Sequence, residues 1–129
     1  TGIMEPLNIE QTDDSPLIIL DQENGRFEIS GKSLPEDVVE FYQPVLDWLN
    51  AYRKKPNPQT SFIFKLIYFN TASSKLILDI LMILEEMAGE GHEVLVRWMA
   101  LTSDEDMQEA GKEYEEMVDV PFEHVTYDF

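Results

Sequence analysis

The chain has 129 residues, of which 43% are hydrophobic, and this is enough for one domain with a hydrophobic core. Its 26 acidic and nine basic residues give a net charge of −17 at pH 7, which argues against nucleic-acid or anionic-membrane partners. The absence of cysteine excludes disulfides and thiolate chemistry. We therefore expect partners that present basic or apolar surfaces.

No apolar run approaches the ~18 to 20 residues of a membrane span, and no export signal is recognisable. A cytoplasmic protein is the expectation. Thr1-Gly2-Ile3 precede Met4, which leaves two alternatives open: these three residues are native, or Met4 is the natural first residue. Residues 1–129 show no linker or repeat, so we expect one domain.

The first part of the chain predicts three strands. Residues 7–12 alternate weakly, as an edge strand does, and Asp13-Asp14-Ser15-Pro16 ends them. The apolar segments 17–20 and 26–29 flank Asn24-Gly25, a strong hairpin signal because both residues accept positive φ. We therefore predict an N-terminal β-hairpin.

A helix is predicted to begin at Ser33, because Ser33-Leu34-Pro35-Glu36 is a capping-box pattern with proline in the first turn. Its apolar residues continue to Tyr52. Pro44 cannot donate a backbone hydrogen bond and is expected to bend or break this helix. The basic cluster Arg53-Lys54-Lys55 is interpreted as cations at the helix C-terminus.

The central feature is a strand, a hydroxyl-rich turn and a helix. Residues 62–69 are large and apolar at seven of eight positions, which predicts a strand buried on both faces near the middle of the sheet. A helix that closes at Gly89-Glu90-Gly91 is predicted next, because apolar residues recur at three- and four-residue spacing. These residues are Leu76, Ile77, Ile80, Leu81, Leu84, Met87 and Ala88.

The turn Asn70-Thr71-Ala72-Ser73-Ser74-Lys75 has two interpretations. In the first, Thr71 or Ser73 is only a helix cap, since these residue types cap backbone N–H groups. In the second, a hydroxyl at the helix start is phosphorylated, because free N–H donors and the helix dipole favour an anion there. Three hydroxyls in four positions are more than capping needs.

The last part predicts a strand at 93–100, a helix and a strand at 122–127. Ser103-Asp104-Glu105-Asp106 is a second capping box, and Gly111 in the following apolar stripe indicates close packing. That stripe consists of Met107, Ala110, Tyr114 and Met117. The order of elements predicts an α/β fold in which helices flank a mixed, largely parallel sheet.

The residues indicate no catalytic or metal site. There is no glycine-rich phosphate loop and no dinucleotide fingerprint, and no nucleophile has a recognisable base beside it. His92 and His124 lack metal-ligand spacing and are expected to be ordinary strand residues. We therefore predict a protein without a cofactor or an enzymatic activity of its own.

Several segments resemble the SiaC family of bacterial regulatory phosphoproteins. The most specific is the Asn-Thr-x-Ser-Ser motif within Tyr68-Phe69-Asn70-Thr71-Ala72-Ser73-Ser74-Lys75. The others are Thr12-Asp13-Asp14-Ser15-Pro16, Gly31-Lys32-Ser33-Leu34-Pro35-Glu36, Phe41-Tyr42 with Pro44 and Trp48-Leu49, and Val96-Arg97-Trp98. Family members are similar to anti-sigma-factor antagonists, so the resemblance implies a STAS-like fold.

The resemblance also implies a function. The phosphoacceptor threonine of the family motif falls on Thr71, and Asn70, Ser73, Ser74 and Lys75 are then its surroundings and candidate partner contacts. A kinase of histidine-kinase-like fold phosphorylates this threonine and a PP2C-type phosphatase reverses the reaction. The unphosphorylated form binds and activates a diguanylate cyclase, which raises cyclic-di-GMP and promotes aggregation or biofilm growth.

An alternative from another class stays open. A small-molecule or nucleotide-binding domain would use the same helix start, Asn70-Thr71-Ala72-Ser73-Ser74, as an anion site.

Overall fold

The computed structural model describes residues 3–129. Thr1 and Gly2, two of the three residues before Met4, lie outside the described residues. The described chain forms six strands and three helices. They are β1 (Leu7–Ile9), β2 (Leu17–Asp21), β3 (Arg26–Ser33), α1 (Val38–Tyr52), β4 (Gln59–Phe69), α2 (Thr71–Gly89), β5 (Glu93–Leu101), α3 (Glu105–Met117) and β6 (Phe122–Tyr127).

The six strands form one sheet in chain order, from β1 to β6. β1, β2 and β3 are antiparallel neighbours, whereas β3, β4, β5 and β6 are parallel neighbours. The predicted mixed, largely parallel α/β fold with an N-terminal hairpin is therefore confirmed. In the hairpin loop only Gly25 has a positive φ, of 64°, and Asn24 does not.

All three helices cover the same face of the sheet. Each right-handed crossover leads to the next strand on the same side, so every connecting helix falls on one face. Along β4 the side chains on that face are buried, whereas Ser61 and Ile67 on the other face are exposed. The prediction that this strand is buried on both faces is wrong, because no crossover returns to cover the second face. The buried β4 side chains are Thr60, Phe62, Phe64 and Leu66.

Two helices begin later than their capping boxes predict. The cap of α1 is Asp37, whose side chain accepts a hydrogen bond from the Glu40 N–H at 3.1 Å, and Ser33 is instead the last residue of β3. The cap of α3 is Asp104, which accepts from Met107 N–H at 3.0 Å, so Ser103 lies before the helix. At both helix starts the cap is therefore an aspartate carboxylate, which accepts from the backbone N–H three residues later, and not the predicted serine.

Pro44 lies inside α1 without breaking it. Pro44 and Glu40 are both exposed, so water can hydrate the carbonyl of Glu40 that has no helical donor. The close packing predicted at Gly111 is confirmed, because a Cβ there would lie 2.3 Å from Cδ1 of Trp98.

The two histidines differ in their positions. His92 precedes β5 instead of lying within a strand. His124 lies in β6, where its Nε2 is 2.7 Å from a carboxylate oxygen of Glu115.

Candidate phosphorylation site

The predicted turn lies at the carboxyl end of β4, where α2 begins at Thr71. Asn70 is the cap of α2, since its Oδ1 accepts a hydrogen bond from the Ser73 N–H at 2.8 Å. The interpretation that Thr71 or Ser73 is the cap is therefore wrong. A side-chain amide does the capping, and the three hydroxyls are left for other roles.

The hydroxyl of Ser73 is fully buried and engaged on both sides. It donates to the backbone oxygen of Ser33 at 2.9 Å and accepts from the Ser33 hydroxyl at 2.9 Å. Since the Ser33 proton points to Ser73, the Tyr42 hydroxyl must donate to Ser33 Oγ, 2.6 Å away. Burial raises the pKa of Tyr42 to about 12, against the opposing effect of the Ser33 hydrogen bond, so the network stays uncharged at neutral pH.

Ser33 attaches the start of α2 to the neighbouring strand. Its carbonyl oxygen also accepts from the backbone N–H of Asn70 at 3.1 Å. The same carbonyl therefore binds the cap residue and the third residue of the helix. This arrangement fixes the backbone on both sides of Thr71.

Ser74 is engaged in a different way. Its hydroxyl donates to the carbonyl oxygen of Thr71 at 2.6 Å, and its own carbonyl accepts from the Tyr114 hydroxyl at 2.8 Å. The Tyr114 bond joins the first turn of α2 to α3. Burial of Tyr114 raises the pKa of this phenol, which keeps it a hydrogen-bond donor at neutral pH.

Thr71 differs from both serines. Its side chain is exposed at the first position of α2, and its hydroxyl makes no hydrogen bond within residues 3–129. The helix dipole favours negative charge at this position, and no acidic residue occupies the first turn of α2. Of the three hydroxyl-bearing residues in the motif, only Thr71 is both exposed and free of a side-chain hydrogen bond within the described residues.

A groove of about 370 Å³ lies beside this turn, between α2 and α3. Lys75 and Glu113 are its charged residues, and Ser74 also lines it. Its apolar lining consists of Phe69, Leu78, Ala110, Tyr114 and Met117. Within this lining Met117 is 62% exposed, and Tyr68 (50%) and Ile67 (42%) are exposed at the end of β4, where they line a neighbouring pocket with Phe69 and Ala110. Clustered apolar exposure of this kind is typical of a protein-binding surface.

Metal ligands do not cluster anywhere in residues 3–129: no group of three or more His, Asp or Glu side chains is placed to hold an ion. In that same part of the chain no helix has the length and apolar character that crossing a membrane requires.

Comparison with known proteins adds the family. Residues 9–127 match the model of the SiaC family regulatory phosphoproteins. The chain belongs to the SiaC family. An uncharacterized protein from Pseudomonas aeruginosa strain UCBPP-PA14 is 32% identical over 125 residues, which cover 97% of this chain and 99% of that protein.

Two solved structures share the fold. Apo-SiaC from Pseudomonas aeruginosa is 31% identical, with a TM-score of 0.87 over 95% of this chain and all of that chain. A chain from the crystal structure of the diguanylate cyclase SiaD in complex with its activator SiaC, from the same species, is also 31% identical. The TM-score there is 0.89, over 94% of this chain and 99% of that one. This SiaC-family chain is therefore regulatory and similar to a cyclase activator.

The structure brings all five predicted residues, Asn70, Thr71, Ser73, Ser74 and Lys75, to the start of α2. Sequence reasoning missed the residues that support them: Ser33, Tyr42 and Tyr114. Ser33 and Tyr42 lie 40 and 31 positions before Ser73, and Tyr114 lies 40 positions after Ser74. No local pattern links positions so far apart. The one available signal is the alternation along β3, which places Ser33 on the same face as Phe27 and Ile29.

Proposed function

We propose that this protein is a switch controlled by reversible phosphorylation of Thr71. A kinase of histidine-kinase-like fold transfers the γ-phosphoryl group of ATP to Oγ1 of Thr71, which loses its proton as ADP leaves. A PP2C-type phosphatase uses water to release inorganic phosphate and restore the hydroxyl. Because the kinase consumes ATP, the switch operates in the cytoplasm.

One observation supports this choice of acceptor above the others. Thr71 is exposed and its hydroxyl has no hydrogen bond in the described chain, whereas Ser73 is fully buried and the Ser74 hydroxyl donates to the Thr71 carbonyl. A kinase can reach the Thr71 hydroxyl without unfolding the turn. Phosphorylation of Ser73 would require breaking the buried hydrogen-bond network in which Ser33 joins Ser73 to Tyr42.

The unphosphorylated form would bind and activate a diguanylate cyclase, and so raise cyclic-di-GMP and promote biofilm growth. The similar SiaC chain in complex with SiaD supports this partner. The regulatory protein itself performs no catalysis in this scheme. Phosphorylation would add a charge of about −1.5 to −2 beside the groove. This charge would weaken an interface with the cyclase that excludes water, because burying an unpaired dianion costs several kcal/mol.

Mass spectrometry after incubation with ATP and the family kinase tests the acceptor. We expect one added phosphate on Thr71, none on Thr71→Ala, and normal incorporation into the matched control Ser74→Ala. Phosphate that persists in Thr71→Ala and maps to Ser73 or Ser74 would contradict the assignment.

Calorimetry on the two forms with the cyclase tests the consequence. Phosphorylation should weaken binding at least tenfold, or about 1.4 kcal/mol. Equal affinities would refute the switch. Tight binding of a nucleotide to the isolated protein would instead favour the alternative in which the start of α2 is an anion-binding site.

A further inference from the structure

Thr71 and Lys75 are neighbours on the surface of α2. The helix is continuous from Thr71 to Gly89, and side chains four residues apart lie side by side on a helix. Both side chains are exposed. Within residues 3–129, Lys75 takes part in no salt bridge, whereas Arg53 is paired with Glu86 and Arg97 with Glu123.

The other lysines near this half of the molecule lie elsewhere. Lys112 is on α3 and lines a separate cavity with Trp98 and His124. The ammonium of Lys65 lies 4.7 Å from the centre of the Tyr127 ring. Lys32 is on β3, exposed on the sheet face away from the helices. Of these four lysines, Lys75 is the one that lies on α2 beside Thr71.

We infer that Lys75 is the counter-charge of phosphorylated Thr71 and communicates the phosphorylation state to the groove between α2 and α3. The inference rests on the proposed function in taking Thr71 as the acceptor. An anion four residues before a cation is the more favourable orientation on a helix. An ammonium–phosphate pair also forms a charge-assisted hydrogen bond, which is stronger than a neutral one.

Lys75 belongs to the groove as well as to the phosphorylation site. In the unmodified protein the groove has one positive side chain, Lys75, and one negative side chain, Glu113. When Lys75 pairs with the phosphate, its positive charge is neutralised, so the net charge of the groove changes by one unit while Glu113 and the apolar lining are unchanged. A partner bound at the groove therefore senses the phosphate through a side-chain movement, without a change in the backbone.

Phosphorus NMR measures the pairing directly. Phosphothreonine is introduced at position 71 during translation, so that no kinase is needed, and its second pKa, ordinarily about 6, is titrated. Lys75→Met should raise this pKa by about 0.3 units, a twofold change in the acid dissociation constant. Lys75→Arg should restore the parent value, and Lys112→Met and Lys32→Met should match the parent. The effect of Lys75→Met should disappear in 1 M salt.

Methyl NMR then tests the connection to the groove. Phosphothreonine at position 71 should move the Leu78 and Met117 methyl signals in the parent but not in Lys75→Met. A phosphate pKa unchanged in Lys75→Met, or raised equally in Lys112→Met, would overturn the inference. So would methyl shifts that persist without Lys75. A kinase that fails to label Thr71 would refute the proposed function and leave this titration unaffected.

Discussion

The starts of α2 and α3 share a geometry and differ in charge. Each follows a parallel strand and is capped by a side-chain oxygen that accepts from the N–H three residues on, at 2.8 Å for Asn70 and 3.0 Å for Asp104. The first turn of α3 carries Glu105 and Asp106 as well as the acidic cap. The first turn of α2 carries no acid, and its cap is neutral.

This difference separates helix starts that acidic side chains already stabilise from one that has no such side chain. Acidic side chains already complement the dipole of α3, and Glu40 does the same in the first turn of α1. α2 alone among the three lacks such a charge, in a chain with 26 acidic residues. The positive end of α2 therefore has no acidic side chain of its own, and the proposed phosphate on Thr71 would be the first anion there.

The largest expected effect concerns how firmly the two helices are held. Eight residues of α2 are buried, compared with three residues of α3. Within α2, Leu81 and Leu84 are fully buried. Leu81→Ala or Leu84→Ala should lower the free energy of unfolding by about 2 to 5 kcal/mol, because each leaves a cavity in the core. The matched control is Met82→Ala on the same helix, where 46% exposure predicts a change within about 0.5 kcal/mol. Chemical denaturation measures all three, and leucine variants as stable as Met82→Ala would show that α2 is oriented differently.

A smaller effect is expected at the two caps. Asn70→Ala and Asp104→Ala should each cost about 0.5 to 2 kcal/mol in urea denaturation, since each removes the acceptor of a backbone N–H. Ser103→Ala should change stability by less than about 0.5 kcal/mol, because Ser103 precedes the cap. A larger loss of stability in Ser103→Ala than in Asp104→Ala would show that Ser103 caps α3, as the capping-box pattern predicts.

The elements themselves follow from local patterns, but the face that each strand buries does not. Burial alternates along β4 because the helices cover only one face of the sheet. They cover one face because every crossover leads to the next strand in the same direction. The apolar residues Ile63 and Ile67 on the uncovered face made the strand look buried on both sides. Periodicity within one strand has no information about the direction of the next crossover.

The candidate site was predictable only in part, for a similar reason. The motif around Thr71 identifies the segment, and the strand–helix pattern places it at a helix start. Which hydroxyl is accessible depends on Ser33 and Tyr42, which fold against Ser73 from β3 and α1. The capping-box pattern predicts a cap at Ser33, but Asp37, four residues later, supplies the carboxylate that caps α1.

The smallest expected effect is that of the phosphate on the fold. Thr71 and Glu105 occupy the same position, the first residue of their helices, so phosphothreonine at 71 would supply to α2 what Glu105 supplies to α3. The dipole should stabilise the phosphorylated protein by roughly 0.3 to 1 kcal/mol, offset in part by repulsion from a net charge of −17. The melting temperature should therefore move by no more than a few degrees. Glu105→Thr should destabilise α3 by a similar amount, and 1 M salt should diminish both changes because these charges are exposed. Calorimetric melting of the two forms and of Glu105→Thr makes the comparison. A phosphorylated protein that melts many degrees from the parent would mean that the phosphate acts by reshaping the fold, and the equivalence of the two helix starts would then be wrong.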